Sequence, residues 1–101
     1  MVVQVATIVR TDTFARWLHK LRDRAAVQRI AIRIDRLALG NPGQVRNLKG
    51  GVAEMKIDYG PGYRVYFTER AGEIVILLCG GDKSTQSADI AAAIALAADL
   101  E

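Results

Sequence analysis

The sequence predicts a single α+β domain over residues 1–101, in which a helical hairpin and a C-terminal helix pack on a twisted, mostly antiparallel sheet. Three observations predict it. The first half of the chain has apolar residues at helical spacing, the second half alternates with a period of two, and glycine-rich turns separate the segments. The predicted order is β-α-α-β-β-β-β-α, and no repeat, linker or domain boundary interrupts it.

The first half of the chain predicts a strand and two helices. Residues 3–9 alternate loosely, as strands do, and Thr11 or Asp12 can cap the helix that follows. The apolar stripes consist of Phe14, Trp17, Leu18 and Leu21 in the first helix, and of Val27, Ile30, Ile34 and Leu37 in the second. A short link near Asp23 favours antiparallel packing of the two helices, and the Gly-Asn-Pro-Gly run at 40–43 ends the second one.

The second half of the chain changes to strand patterns and ends in a helix. Strands are predicted over residues 45–48, 52–59, 63–68 and 74–79, with glycine-containing turns between them. The last of these strands is apolar throughout, which is typical of a central strand covered on both faces. Ser84 or Ser87 can cap the final helix, whose stripe consists of Ile90, Ile94, Ala97 and Leu100.

Composition narrows the class of protein. Half of the 101 residues are hydrophobic and a quarter are charged, as in a folded domain with one core. The net charge of +3 permits binding to a polyanion without requiring it. The longest apolar run, residues 74–79, is too short to cross a membrane, and the N-terminus lacks a secretory pattern, so a cytoplasmic protein is expected.

Metal and redox chemistry are not expected. The one cysteine, Cys79, lies in an apolar strand and is predicted to be a buried, inert thiol. The one histidine, His19, lies among basic residues of the first helix and is predicted to face solvent. One histidine and one cysteine do not make a zinc site, and no cofactor is predicted.

A polar face shared by two predicted strands carries the candidate chemistry. Cleavage of RNA through its own 2′-hydroxyl needs a base, an acid and cations that neutralise the charge growing on phosphorus. The alternation places Glu54, Lys56 and Asp58 on one strand face, and Arg64, Tyr66 and Thr68 on a face of the next strand. If the turn at residues 60–62 aligns these faces, Lys56, Arg64 and Tyr66 form a cluster that Lys83 can close.

Each member of this cluster has a predicted role. Arg64 would hold phosphate oxygens through its planar fork, and Lys83 would act as a point charge. Neighbouring cations favour the neutral form of a lysine, so Lys56 is a candidate general base and Glu54 is its rival. Tyr66 is the nearest candidate acid.

A purely structural interpretation of the same residues stays open. A polar strand face is usually solvated and held by weak cross-strand pairs, which is the alternative for Glu54, Asp58 and Arg64. Tyr63 and Phe67 lie on the opposite strand face and are expected in the core, so Tyr63, like Tyr59, is a less favoured acid.

Three strings of this sequence resemble the RelE/ParE toxin superfamily, and more narrowly its HigB-like branch of addiction module killer proteins. The strings are Ile34-Asp-Arg-Leu-Ala-Leu-Gly-Asn41, Glu54-Met-Lys-Ile-Asp-Tyr-Gly-Pro-Gly-Tyr-Arg-Val-Tyr-Phe67 and Leu77-Leu-Cys-Gly-Gly-Asp-Lys-Ser-Thr-Gln86. With Trp17 and the order of elements, the resemblance covers nearly the whole chain. It implies the toxin of a type II toxin–antitoxin pair. RelE-type members cleave mRNA in the ribosomal A site, and an antitoxin from an adjacent gene, typically a helix-turn-helix protein, blocks them.

The resemblance also implies roles for single residues. Arg64 is at the position of the strand arginine that contacts the scissile phosphate in RelE-like toxins. Lys56 matches a basic residue of the preceding strand, and Lys83 matches the basic residue after the last strand. Glu54 falls where RelE has a second lysine. The tyrosine near the C-terminus of RelE has no counterpart, because no Tyr or His follows Lys83.

Three functions are therefore compared. The leading hypothesis is a ribosome-dependent, metal-independent endoribonuclease that inhibits translation. The alternative is a ParE-like inhibitor of DNA gyrase without nuclease activity, and a third is a non-toxic module that docks RNA or an acidic partner. The basic face of the second helix, formed by Arg29, Arg33 and Arg36, is either solvated or in contact with ribosomal RNA.

Overall fold

A five-stranded sheet with helices on both faces forms the fold in the computed structural model, which describes residues 5–100. The strands are β1 (Thr7–Arg10), β2 (Val45–Asn47), β3 (Val52–Ile57), β4 (Tyr63–Arg70) and β5 (Ile74–Gly81). The helices are α1 (Asp12–Lys20), α2 (Arg24–Ala38) and α3 (Gln86–Asp99). The predicted α+β class and the predicted order of elements are confirmed; Val3 and Gln4 of the predicted first strand lie outside the described residues.

The sheet has the order β1-β5-β4-β3-β2, so that β5 and β4 lie at its centre. β1 runs parallel to β5, and the other neighbouring strands are antiparallel. The apolar run of β5 is thus central, as its composition predicts. The register of β4 and β5 shifts between Tyr66 and Phe67, because Tyr66 lies opposite Cys79 whereas Phe67 lies opposite Leu77. Leu78 is the extra residue of this β-bulge.

Alternation along the strands divides the core into two layers. One face of the sheet, with Met55, Val65 and Leu77, packs against α1 and α2. The other face, with Tyr66 and Leu78, packs against α3. Neighbouring residues of one strand therefore lie in different cores. For this reason a polar site on one face of the sheet is separate from the α1–α2 layer on the other face.

The helices α1 and α2 contact the sheet more than they contact each other. The main contacts of α1 are with β5, and α2 contacts β3. Their buried stripes, which include Phe14 and Ile30, point into the core beneath them. The two helices lie on the same face of the sheet with their apolar side chains in one core, and a groove lined by both of them lies between them.

Helix caps fix where the helices begin. Thr11 caps α1, as predicted: its hydroxyl oxygen accepts from the backbone N–H of Phe14 at 3.1 Å and lies 2.9 Å from the carbonyl of Leu77 in β5. The predicted caps of the last helix, Ser84 or Ser87, are wrong. Asp82 accepts from the N–H of Ser84 at 2.8 Å and caps a 3-10 turn, Lys83–Thr85, that leads directly into α3.

Two consecutive glycines at the end of β5 allow close approach from both faces. A Cβ on Gly80 would meet the indole of Trp17, with Cδ2 at 2.6 Å, and a Cβ on Gly81 would overlap the carboxylate of Asp89. Neither backbone needs a left-handed conformation. These glycines therefore set the distance of α1 and α3 from the sheet. No helix within residues 5–100 is long and apolar enough to span a bilayer.

Candidate functional site

The predicted cations meet at the turn between β3 and β4. Lys56 lies directly opposite Arg64 in the antiparallel register, and Gly81 lies opposite Arg64 on its other side. Lys83 follows β5 closely, and its backbone N–H approaches the carbonyl of Pro61 at 3.4 Å. Three neighbouring segments thus bring Lys56, Arg64 and Lys83, here called the cation cluster, to one end of the sheet.

Arg64 is the buried member of the cation cluster, with 6% of its surface exposed. Its NH1 group donates to the carbonyl of Gly62 at 2.5 Å, which holds the guanidinium against the turn. Its Nε atom is buried without a hydrogen-bond partner among residues 5–100. A buried donor without a hydrogen bond costs free energy, and the Glu54 carboxylate, whose Oε2 lies 3.9 Å from this Nε, offsets part of that cost as an ion pair.

Gly62 allows this arrangement in two ways. Its φ of 78° is in the left-handed region, which suits glycine in a tight turn. A Cβ at this position would lie 3.1 Å from Arg64 NH1 and 3.6 Å from the Cβ of Lys83. The missing side chain therefore lets Arg64 and Lys83 approach the same turn.

Glu54 is the centre of a buried polar network next to the cation cluster. Its Oε2 atom accepts from the hydroxyl of Tyr66 at 3.0 Å and from the Nε2 of Gln86 at 2.9 Å, and it lies 3.9 Å from the Nε of Arg64. Its Oε1 atom lies 3.2 Å from the NH2 of Arg46. Both carboxylate oxygens are thus occupied by donors, and Glu54 orients the side chains around it.

Tyr66 is completely buried in this network. Burial, reinforced by the neighbouring Glu54 carboxylate, raises the pKa of its phenol far above the ordinary value, so the hydroxyl keeps its proton. That proton is directed at Glu54 rather than at solvent. The geometry gives Tyr66 a supporting place behind Arg64, and offers no path from its hydroxyl to a substrate in this arrangement.

The other tyrosines have structural contacts. Tyr63 is buried, as predicted, and its ring packs edge-on against Trp17 with centroids 6.4 Å apart. Burial, followed by Asp23 and other neighbours, raises the pKa of Tyr63. Tyr59 lies beneath the guanidinium of Arg29, whose Cζ is 4.4 Å from the ring centroid.

The basic face predicted for α2 is divided in the structure. Arg33 is half-buried: its NH2 donates to the carbonyl of Pro42 and its NH1 to the carbonyl of Lys56, both at 2.8 Å. Burial, together with Arg36, lowers the pKa of Arg33. This arginine ties α2 to β3 behind the site, whereas Arg36 is exposed. The planar fork of Arg33 reaches both carbonyls, which explains why an arginine is suited to this position.

The structure also shows the surroundings of four other residues for which an expectation was drawn from the sequence. Asp58 is exposed in the turn, whereas Thr68 is buried and its hydroxyl donates to the carbonyl of Gly51 at 2.8 Å. His19 is exposed and Cys79 is buried, both as predicted. Within residues 5–100 no group of three or more His, Cys, Asp or Glu side chains is placed to hold a metal ion.

Two members of the network were missed by the sequence reasoning. Arg46 lies directly opposite Glu54 in the pairing of β2 with β3. β2 has only three residues, too few for a strand alternation to point at Arg46. Gln86 is the first residue of α3 and reaches Glu54 across the face that α3 covers, a contact that only the tertiary fold brings about.

Comparisons with known proteins are consistent with this fold. The sequence profile of a family described as "Phage derived protein Gp49-like (DUF891)" matches residues 16–100. An uncharacterized protein of Haemophilus influenzae is 48% identical over 100 residues, which cover 99% of this chain and 98% of that protein. A chain in the crystal structure of the toxin–antitoxin complex RelBE2 from Mycobacterium tuberculosis superposes with a TM-score of 0.54 at 26% identity, over 78% of this chain and 99% of that chain.

Proposed function

The chain belongs to the phage-derived Gp49-like family, and from this premise we propose that it is the toxin of a toxin–antitoxin pair, an endoribonuclease that cleaves mRNA at the ribosome. Within the RelE/ParE superfamily we assign the protein to the HigB-like branch. We propose the cytoplasm as its location. The proposed cleavage uses the 2′-hydroxyl of the RNA and no metal ion. The likeness to a chain of a toxin–antitoxin complex supports the proposal that the protein is a toxin. The cation cluster supports the proposal that it cleaves RNA.

The observation that carries the proposal is the state of Arg64. It is a buried guanidinium, held at one nitrogen by a hydrogen bond to Gly62 and at Nε by an ion pair with Glu54 at 3.9 Å, with Lys56 opposite it in the sheet. A charge held in place before the substrate arrives needs no reorganisation during the reaction, and its effect is larger in a partly desolvated site. A phosphate bound by the guanidinium of Arg64 would add charge-assisted hydrogen bonds to those it already makes.

The other residues take roles that follow from their exposure. Lys56, half-buried beside Arg64, acts as the base that removes the 2′-hydroxyl proton. Lys83, exposed at the end of β5, neutralises the phosphorane charge and protonates the leaving 5′-oxygen. Tyr66 and Glu54, predicted as acid and as rival base, are buried and bonded to each other, and in this proposal they hold Arg64 in position.

The decisive variant is Lys83→Ala, because Lys83 is exposed and its loss should leave the fold unchanged. Purified protein added to a translating system should cut mRNA within codons, and Lys83→Ala should cut it about 10²–10³-fold more slowly, the usual effect of removing one electrostatic stabiliser. Lys49→Ala is the matched control, since Lys49 is exposed at the far end of β3. Intact mRNA with the wild-type protein contradicts the proposal.

Arg64 needs a gentler change because it is buried. Arg64→Lys keeps the charge and removes the fork, and should abolish most cleavage while the thermal unfolding curve confirms that the protein folds. Growth arrest with intact mRNA and an induced DNA-damage response would instead favour the gyrase inhibitor. Harmless overexpression without any partner protein would favour the non-toxic binding module.

The proposed partners are the ribosome, its bound mRNA and an antitoxin protein. The antitoxin is expected from an adjacent gene and is expected to contain a helix-turn-helix domain. Its presence is tested by reading the neighbouring frame and by expressing both proteins together, which should restore growth. Growth arrest that persists under co-expression would reject this partner.

A further inference from the structure

Gln86, the first residue of α3, is held at a defined place beside the cation cluster. The 3-10 turn Lys83–Thr85 leads directly into it, and Asp82 caps this turn. One turn further along α3, the carboxylate of Asp89 accepts from the hydroxyl of Thr85 at 2.5 Å. The backbone that carries Gln86 is therefore tied on both sides, and its half-buried side chain reaches β3 from there.

The amide of Gln86 donates to the carboxylate oxygen that is paired with Arg64. Its Nε2 atom lies 2.9 Å from Glu54 Oε2, and the same oxygen accepts from the hydroxyl of Tyr66 at 3.0 Å. An ionised carboxylate only accepts hydrogen bonds, so the NH2 group of the amide, and not its carbonyl, faces Glu54. Two donors other than Arg64 therefore hydrogen-bond to Oε2.

The ion pair between Glu54 and Arg64 is open. Oε2 lies 3.9 Å from Nε, within the range of an ion pair but beyond that of a hydrogen bond. A charge-assisted hydrogen bond between these groups has a length of about 2.7–2.9 Å, so the gap is about 1 Å longer than such a bond. Both side chains are buried, where the attraction between opposite charges is stronger than in water. The hydrogen bonds from Gln86 and Tyr66 act against this attraction.

Closing the gap would weaken Arg64 as a phosphate ligand. A carboxylate bonded to the guanidinium takes a donor that a phosphate would use, and it neutralises the charge that stabilises the phosphorane. In the open pair, Arg64 is anchored at NH1 by Gly62 and its Nε makes no hydrogen bond among residues 5–100. The donors on Glu54 therefore limit how closely the carboxylate approaches the cation.

We propose that Gln86 is a positioning residue of the candidate site. Its hydrogen bond prevents Glu54 from closing on Arg64, and the guanidinium retains its charge and its donors for the phosphate of the RNA. The inference rests on the proposed function for the identity of that phosphate. Tyr66 is the second donor, but it is completely buried, so the half-buried Gln86 can be changed with less disturbance of the core.

The first test observes Arg64 directly and needs no RNA. The Nε–Hε cross-peak of Arg64 is assigned in the 15N-labelled chain by its loss in Arg64→Lys. In Gln86→Ala, Glu54 should close on Nε, and the new charge-assisted hydrogen bond should move the Hε resonance downfield. Ser87→Ala is the matched control, because Ser87 is the exposed next residue of α3, and there the cross-peak should not move. A cross-peak that does not move downfield in Gln86→Ala overturns the inference.

The second test measures single-turnover cleavage of ribosome-bound mRNA. Gln86→Ala should lower the rate at saturation about 10- to 100-fold, as a displacement of about 1 Å does. The half-saturating concentration should change little, because Arg64 acts mainly on the charge of the transition state. Adding Glu54→Gln to Gln86→Ala should restore much of the rate, since a neutral amide attracts Arg64 less than a carboxylate does. If Gln86 were merely structural, the second substitution would deepen the loss, and that result would overturn the inference.

The two tests distinguish this inference from the proposed function. If the wild-type protein leaves mRNA intact, the nuclease proposal fails, and the cross-peak of Arg64 alone decides the role of Gln86. If the wild type cleaves and Gln86→Ala cleaves as fast as Ser87→Ala, the inference is wrong and the nuclease proposal stands. Thermal unfolding curves of all variants set a temperature at which each is folded, and both tests are run there.

Discussion

Gly80→Ala is expected to separate α1 from β5, because Gly80 lies beneath the indole of Trp17. The added Cβ would lie 2.6 Å from the ring carbon Cδ2, whereas carbon atoms in contact are about 3.5–4.0 Å apart. Trp17 has little space to give way, since its ring packs against Phe14 and Tyr63 at centroid distances of 5.7 and 6.4 Å. The helix or the strand must therefore move.

The cost follows from the packing around the indole. Inserting a methyl group into a filled site costs about 1–3 kcal/mol, and we expect the upper end, about 3 kcal/mol, because a rigid ring rather than a flexible side-chain tip is displaced. For a domain of this size each kcal/mol lowers Tm by about 4–8 °C, so Tm should fall by about 12–24 °C. Trp17 is the sole tryptophan, so fluorescence during urea unfolding measures both stability and the indole environment.

Two controls distinguish the cost of the steric clash from the cost of an unfavourable backbone conformation. Gly72→Ala meets no atom within 4 Å but has a φ of 67°, so its cost should be only the left-handed penalty of about 1–2 kcal/mol. In a Trp17→Ala background, with unfolding followed by far-UV circular dichroism because the fluorescent indole is gone, Gly80→Ala should cost less than about 1 kcal/mol. The reasoning is refuted if Gly80→Ala costs no more than Gly72→Ala, or if its cost persists without the indole.

Three further outcomes follow from buried polar groups. Arg33→Lys should lower the free energy of unfolding by about 1–3 kcal/mol in urea titrations, because an ammonium cannot span both carbonyls that the fork reaches; full stability would contradict this. The raised pKa of Tyr66 contributes stability that is complete below about pH 10, its unfolded value, and is lost as pH rises further. Tyr66→Phe should flatten that alkaline decline, and an unchanged pH profile would argue against it. Burial raises the pKa of Cys79 to about 12, so at pH 8 its alkylation should proceed only as fast as the protein opens, and rapid labelling of the folded protein would contradict its burial.

The sequence could predict β3, β4 and their common turn because the determinants are local. Glu54 and Lys56 alternate with apolar neighbours, and the glycines of the turn leave few geometries for the return. The register that places Lys56 opposite Arg64 follows from that turn. Hence the location of the cation cluster, though not the chemistry of each member, was accessible from sequence.

What the sequence could not predict depends on contacts between distant segments. Glu54 looks like a solvated strand residue until α3 covers its face and Gln86 reaches it. The helix α3 also buries Tyr66, so that Tyr66, a candidate acid in the sequence, instead helps to position Arg64 in the proposal.

The parallel pairing of β1 with β5 determines when the sheet can be completed during translation. Thr7 lies beside Ile74, so β1 can pair with β5 only after about three quarters of the chain has been synthesised. Contacts of such long sequence separation slow folding. Arg64 likewise gains Gly81 only when the final fifth emerges. The sheet, and with it the pairing around Arg64, can therefore be completed only after β5 has been made.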